Sequence, residues 1–278
     1  MSLETSIQRH YTRPGLLDGI RDAIRAAGGD PARPTLDDLA PYDEFHLGGR
    51  EATRMLITRL AAVVRPGARV LDVGCGLGGP ARVLAHETGC EVVGVDLTED
   101  FVAAGTALTA AAGLADRVRL VQGSATALPL DDGTVDAAWQ LHVGMNLPDK
   151  AAVAREVHRV LRPGGVFVVY DLMGAGNGVL TFPVPWASEP AFSAVESPAA
   201  YRGHLEGAGL RVVDERDHRD VAVRFFDAMR DRMAQGLPPM LRPDVFVGSA
   251  AAERFANLGA AVRAGRITPV EMVAVRPG

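Results

Sequence analysis

From residue 69 to residue 170 short apolar runs alternate with helix-length segments, and nothing else in the chain constrains its fold as much. Residues 69–73, 91–96, 117–122, 135–141 and 166–170 read as strands. The stretch ending at His86, residues 99–113 and residues 149–161 read as helices between them. Short apolar strands separated by helices predict a parallel sheet with both faces covered. Right-handed crossovers then make it a doubly wound α/β domain.

The flanks read differently. Ile7, Leu16, Leu17, Ile20 and Ile24 fall on one face of an early helix. A second helix is expected over residues 50–64, ended by Arg65-Pro66-Gly67. After Asp171 the rhythm loosens. Residues 174–197 are rich in Gly and Pro and loop-like. Helices are expected at 198–209, 220–235 and 249–264, with strands at 210–214 and 271–275. The organisation expected is one domain over 1–278, with a helical cap at 1–64 and a ligand-binding core at 65–173. Segments 174–197 and 218–266 form a lid on the substrate side. A chain of 278 residues can bury the core this requires.

The chemistry concentrates at Val70-Leu71-Asp72-Val73-Gly74-Cys75-Gly76-Leu77-Gly78-Gly79. A glycine loop between strand and helix brings backbone N–H groups against a ligand. Gly74, Gly76 and Gly79 also fit the dinucleotide pattern G-x-G-x-x-G, so a nicotinamide-dependent oxidoreductase is one alternative. Asp96, at the end of the second strand, can accept hydrogen bonds from both ribose hydroxyls of a nucleoside. Asp72 inside the first strand decides between ligands. A buried acid at the mouth of the loop suits an ammonium group better than a pyrophosphate.

Residues 71–78, with Asp96, Asp136 and the turn Leu161-Arg162-Pro163-Gly164-Gly165, resemble the motifs of class I S-adenosylmethionine-dependent methyltransferases. The resemblance implies a Rossmann-like seven-stranded sheet with its last strand antiparallel, and helical cap segments. It implies S-adenosylmethionine as cofactor and S-adenosylhomocysteine as product. Position by position, Asp72, Gly74, Gly76 and Gly78 would hold the methionine part, and Asp96 the ribose. Leu97 would cover adenine, and Ser124 with Ala125 would read its edge. Gln140 and Leu141 would line the sulfonium end through their backbone.

In open α/β sheets the ligand crevice lies beyond the carboxyl ends of the strands. Segments 46–50, 142–146 and 171–173 arrive there. His142 and His46 are the candidate bases, and Arg50, Met145 and Asn146 candidate substrate contacts. Tyr11 and Trp186 can close over the crevice from the cap segments. Segments 43–53 and 142–150 look like those of sarcosine/dimethylglycine N-methyltransferases, which implies an amine acceptor. The same segments recur in natural-product methyltransferases, so C- or O-methylation is the alternative. A cofactor-binding protein that does not methylate is a further one.

Charge bounds the partners. The 29 basic and 34 acidic residues give a net charge of −5, which argues against nucleic acid and anionic membranes. The partner expected is a small-molecule methyl acceptor. No metal-ligand cluster at diagnostic spacing is visible. Two cysteines, Cys75 and Cys90, and a polar start without an apolar leader lead to a cytoplasmic expectation. The N-terminal helices can cap their own sheet or swap onto a second copy as a homo-oligomer.

Overall fold

The computed structural model describes residues 11–12, 14–175, 178–242 and 248–278. Seven strands form one sheet in the order β3-β2-β1-β4-β5-β7-β6. They are β1 (Arg69–Val73), β2 (Glu91–Asp96), β3 (Val118–Gln122), β4 (Val135–Leu141), β5 (Leu161–Gly174), β6 (Arg211–Asp217) and β7 (Ile267–Val275). Only β7 runs antiparallel to its neighbours, β5 and β6. This is the doubly wound sheet with a reversed last strand that the resemblance implies.

The period of two along each strand sorts side chains into two apolar layers. Val70, Val92, Trp139 and Val168 pack on one face against α3 (Gly49–Leu60) and α4 (Gly79–Thr88). Leu71, Val73, Ala138, Phe167 and Val169 pack on the other against α6 (Lys150–Val160) and α7 (Pro198–Gly207). Between β2 and β3 runs α5 (Glu99–Ala111). Two longer C-terminal helices, α8 (Arg219–Ala234) and α9 (Ala251–Arg263), meet the loop before α7 in a third apolar cluster.

The cap holds α1 (Leu16–Ala26) and α2 (Leu36–Asp43). Leu16, Ile20 and Ile24 of α1 are buried against Leu39 and Tyr42 of α2 and Phe101 and Leu108 of α5. Within the single chain the cap packs on α5. Ile7, expected on the first helix, lies outside the described residues. Sequence reading missed α2, which starts at a capping box: Thr35 accepts from the Asp38 backbone, and Asp38 from the Thr35 backbone. Pro41 inside this short helix obscured it.

Arg82 of α4 fixes the end of α2 to the core. It is fully buried, and its Nη2 donates to Asp43 Oδ2 at 2.6 Å and its Nη1 to Thr109 Oγ1 at 2.8 Å. The cap approaches α4 so closely that a Cβ on Gly79 would stand 2.2 Å from the Asp43 carbonyl oxygen.

Lys150 is the chain's single lysine. It is buried, with Nζ donating to the carbonyls of Leu147 (2.8 Å) and Ala194 (2.5 Å), and burial lowers its pKa. It thereby pins the loop before α7 to the turn after β4.

The largest differences from the expected boundaries lie in three elements. Strand β5 starts at Leu161 and continues to Gly174, because Gly164 N–H donates to Arg276 O and Arg276 N–H to Gly165 O, which keeps the edge paired past the end of β7. Strand β7 begins at Ile267, since Pro269, which offers no ladder donor, masks its first half. Helix α3 ends at Leu60, short of Val64.

Candidate active site

A cavity of about 360 Å³ opens at the carboxyl ends of β1, β2 and β4. Asp72, Gly74, Gly76, Asp96, Leu97, Ser124, Ala125 and Leu141 line it, with His46, His142, Asn146 and Tyr11 at its other end. These residues come from six segments separated by up to 135 positions, and the sheet's topology gathers them.

The loop after β1 is held by its own backbone. Gly74 N–H donates to Val95 O at 2.7 Å, and Gly76 N–H to Asp96 Oδ2 at 2.8 Å. Gly76 sits at φ 53°, in the left-handed region, and a Cβ added there would meet nothing within 4 Å. Glycine is therefore used here for its conformation, and the space above it is open for a ligand.

Two carboxylates frame the cavity. The Asp96 oxygens accept from the Gly76 and Thr98 backbones, each at 2.8 Å, and keep lone pairs for two hydroxyls. Burial raises the Asp96 carboxyl above its ordinary value. Asp72 is 2% exposed, and its Oδ2 has no partner among the described residues. Burial first, and then the neighbouring Asp96 carboxylate, push Asp72 up to about 8. An orphaned buried oxygen beside a glycine loop fits the ammonium of an amino-acid-bearing nucleoside such as S-adenosylmethionine. Bound there, that cofactor supplies an electrophilic methyl group on a positively charged sulfur.

A second, smaller pocket of about 40 Å³ joins the first at Tyr11, Phe45, His46 and His142. Leu47, Met145, Leu172, Pro185, Trp186, Leu241 and Phe255 complete its walls. Trp186 and Pro185 come from the loop before α7, and Phe255 from α9. Trp186 is anchored by its Nε1–H to Ser193 Oγ (3.0 Å). Asn146 Nδ2 reaches Tyr11 Oη at 3.3 Å, and the Tyr11 ring lies tilted against Phe101, with centroids 5.8 Å apart.

The two histidine rings stand 6.1 Å apart at the junction. Burial keeps both neutral: it lowers His46 to about 4 and His142 well below the ordinary imidazole range. His142 adopts φ 52°, the left-handed exception among the described non-glycine residues. Its Nε2 accepts a long bond (3.4 Å) from Leu47 N–H, so Nδ1 carries the ring proton. That Nδ1 is buried without a partner; the Tyr170 carbonyl beside the ring already accepts the His142 backbone N–H at 2.8 Å. His46 has the opposite polarity. Its Nε2 lies 3.0 Å from Gly49 O, which can only accept, so Nδ1 holds the lone pair.

Several expected contacts lie elsewhere. Gln140, expected to line the sulfonium end through its backbone, does not border the cavity. It alternates with Leu141 along β4, so its side chain is on the opposite face, donating to Asp171 Oδ2 (3.0 Å) and Tyr201 Oη (2.7 Å). Gly78 lies behind the loop against Leu120 and Arg82. Arg50 faces away from both pockets, bound to Glu44 Oε1 at 2.6 Å and to the Leu36 carbonyl. Ser124 lines the cavity, but its hydroxyl is shared with Thr126 Oγ1 at 2.8 Å. Asp136 sits at the far end of the sheet, accepting from Arg69 N–H. Asp171, in a segment expected at the crevice, is spent inside the core on Gly144 N–H (2.6 Å), Tyr201 Oη (2.9 Å) and Gln140. Sequence reading passed over Phe45, Leu241 and Phe255, whose apolar side chains look like ordinary core until the lid is folded. Among the described residues no group of three His, Cys, Asp or Glu could hold a metal, and no helix is long and apolar enough to cross a membrane.

The methyltransferase-domain family model matches residues 71–169. A sterol 24-C-methyltransferase of Gibberella zeae is 39% identical over 108 residues, 39% of this chain and 28% of that protein. A sarcosine/dimethylglycine N-methyltransferase of Halorhodospira halochloris is 31% identical over 186 residues, 65% of this chain and 66% of that protein. The first three curated relatives are matched over 28%, 34% and 55% of their own lengths. The fold is shared with geranyl diphosphate C-methyltransferase of Streptomyces coelicolor A3(2), at TM-score 0.68 and 18% identity over 99% of this chain and 98% of that one. The domain model over the motif-bearing strands and the curated methyltransferase relatives lead to one family: this chain belongs to the S-adenosylmethionine-dependent methyltransferases.

Proposed function

We propose that the chain transfers a methyl group from S-adenosylmethionine to an uncharged small molecule whose nucleophilic atom carries a removable proton. The observation that carries this reading is the junction of the two pockets. The cofactor cavity and the apolar one share His46 and His142 as lining residues, with the two rings 6.1 Å apart and the His46 lone pair on Nδ1. Alignment of acceptor and methyl, with water excluded by the walls, supplies much of the acceleration for an in-line displacement. His46 accepts the acceptor's proton. His142 stands with its neutral ring beside His46 and forms the wall against which the acceptor is aligned.

No described residue lining the smaller pocket carries a positive charge, and the charged residues lining the larger one are Asp43, Asp72, Asp96 and Asp149. A carboxylate or phosphate buried there would lose its hydration without a counter-charge. A neutral amine, as read from the sequence, a hydroxyl or an acidic C–H all suit the site. Sarcosine and dimethylglycine bring a carboxylate that finds no cation among the described residues of these walls. The kinship with sterol methyltransferases agrees with an apolar acceptor body.

Calorimetric titration tests the cofactor half of this reading. Micromolar binding of S-adenosylmethionine and S-adenosylhomocysteine, with none of NADH, is expected. Label transfer from methyl-labelled cofactor then tests the acceptor half. Uncharged apolar alcohols, phenols and amines are expected to take label, and glycine, sarcosine and dimethylglycine are not. Labelling confined to the carboxylate series would overturn the uncharged assignment.

His142→Ala is expected to lower turnover by roughly tenfold to a hundredfold, the range for losing a wall that aligns the acceptor. Cofactor affinity should change less than about threefold. Loss of cofactor binding with turnover per bound enzyme intact would remove His142 from the chemistry.

A further inference from the structure

His46 is backed by a buried chain of polar groups that methyl transfer alone does not call for. Thr53, on α3, is fully buried, and its Oγ1 lies 3.1 Å from His46 Nε2. The same hydroxyl donates to Glu44 Oε2 at 2.6 Å. Glu44 is 2% exposed, and its other oxygen accepts from Arg50 Nε at 2.6 Å. The Thr53 hydroxyl has one proton, which goes to the carboxylate, so its oxygen faces the histidine as an acceptor. Gly49 O and Thr53 Oγ1 are then two acceptors around one ring nitrogen. Both require Nε2–H, and the Glu44 carboxylate stands 3.7 Å behind it.

We propose that Thr53 and Glu44 are positioning residues that make His46 the base of the reaction. They lock its Nε2–H tautomer, present Nδ1 as the lone pair, and stabilise the imidazolium formed when a proton arrives. The inference rests on the reading of the junction as the methyl-transfer site. In the step, the acceptor X–H forms the X–C bond while the S–C bond breaks and its electron pair stays on sulfur. The X–H proton passes to His46 Nδ1, and the ring returns to neutral by giving that proton to water once product has left. Acceptors without a proton to lose, such as tertiary amines, gain nothing from the arrangement. The logic is that of a catalytic triad with a hydroxyl inserted between carboxylate and ring.

The test uses the full chain with Thr53→Val and Thr53→Ser. Nitrogen-15 NMR of the S-adenosylhomocysteine complex reads the His46 tautomer without any acceptor. The wild type and Thr53→Ser are expected to show protonated Nε2 and bare Nδ1, and Thr53→Val a mixture. With an acceptor found by label transfer, Thr53→Val should lower kcat by roughly tenfold to a hundredfold, with KM and cofactor affinity within about threefold. Thr53→Ser should restore kcat. A wild-type ring protonated at Nδ1 overturns the proposal and leaves methyl transfer standing. So does a Thr53→Val variant that loses thermal stability and cofactor affinity in step with kcat and is not rescued by serine. A wild type that methylates nothing while showing the expected tautomer would instead defeat the methyl-transfer reading.

Discussion

Arg82→Met is expected to lower the unfolding free energy by about 3–5 kcal/mol, the cost of removing one partner from a buried ion pair. The guanidinium is fully buried, and its loss strands Asp43 and Thr109 with unsatisfied oxygens. Burial already raises the Asp43 carboxyl against the pull of Arg82. Without the arginine, Asp43 takes up a proton or draws water into the seam between cap and core. Urea unfolding measures the loss. The paired variant Arg82→Met with Asp43→Leu should recover most of it, because apolar replacement of both partners leaves no orphaned charge. A cost below about 1 kcal/mol for the single change would mean that the pair does not hold the cap.

Asp72→Asn should weaken S-adenosylmethionine binding by about 3 kcal/mol, roughly a hundredfold in Kd, the cost of losing a desolvated charge partner. The same group predicts a pH dependence. Asp72 titrates at about 8 in the folded chain, so it is largely protonated at neutral pH. Pairing with an ammonium requires the carboxylate, so binding at pH 7 releases a proton. Affinity should therefore rise from pH 6 towards pH 8 and then level off. Titrations in buffers of different ionisation enthalpy count that proton. Stability has the opposite sign. A carboxyl raised on folding binds a proton that the unfolded chain has already lost, so the free protein weakens as pH rises from the ordinary carboxylate value of 3.8 towards 8. Asp72→Asn should flatten that slope while it weakens binding. A variant with wild-type affinity and an unchanged slope would make Asp72 a purely structural acid.

The core of this fold was legible because buried parallel strands print themselves as apolar runs punctuated by glycine. Asp72 and Asp96 could be placed from β1 and β2 alone, since the periodicity fixes one inside the first strand and the other at the end of the second. What escaped needed tertiary knowledge. Gln140 and Leu141 are adjacent in sequence, and only the facing of β4 says which one meets the cavity. Asp43 and Arg82 are 39 positions apart, and Glu44, Thr53 and His46 converge only once α2 and α3 are folded onto the core. Arg50 carries a charge that invites a substrate role from sequence, but Glu44 claims it. The tautomers of His46 and His142 depend on the Gly49 carbonyl and the Leu47 N–H, which no residue pattern reports.

Lys150 has a practical corollary. The chain's one side-chain amine is locked under the loop that carries Trp186, with two carbonyls on its ammonium and a lowered but buried pKa. Acylating reagents, amine cross-linkers and lysine-directed modifying enzymes therefore meet a surface that offers them no lysine at all. Slow acylation of Lys150 would report the loop lifting away, which turns the residue into a built-in chemical clock for opening of the site.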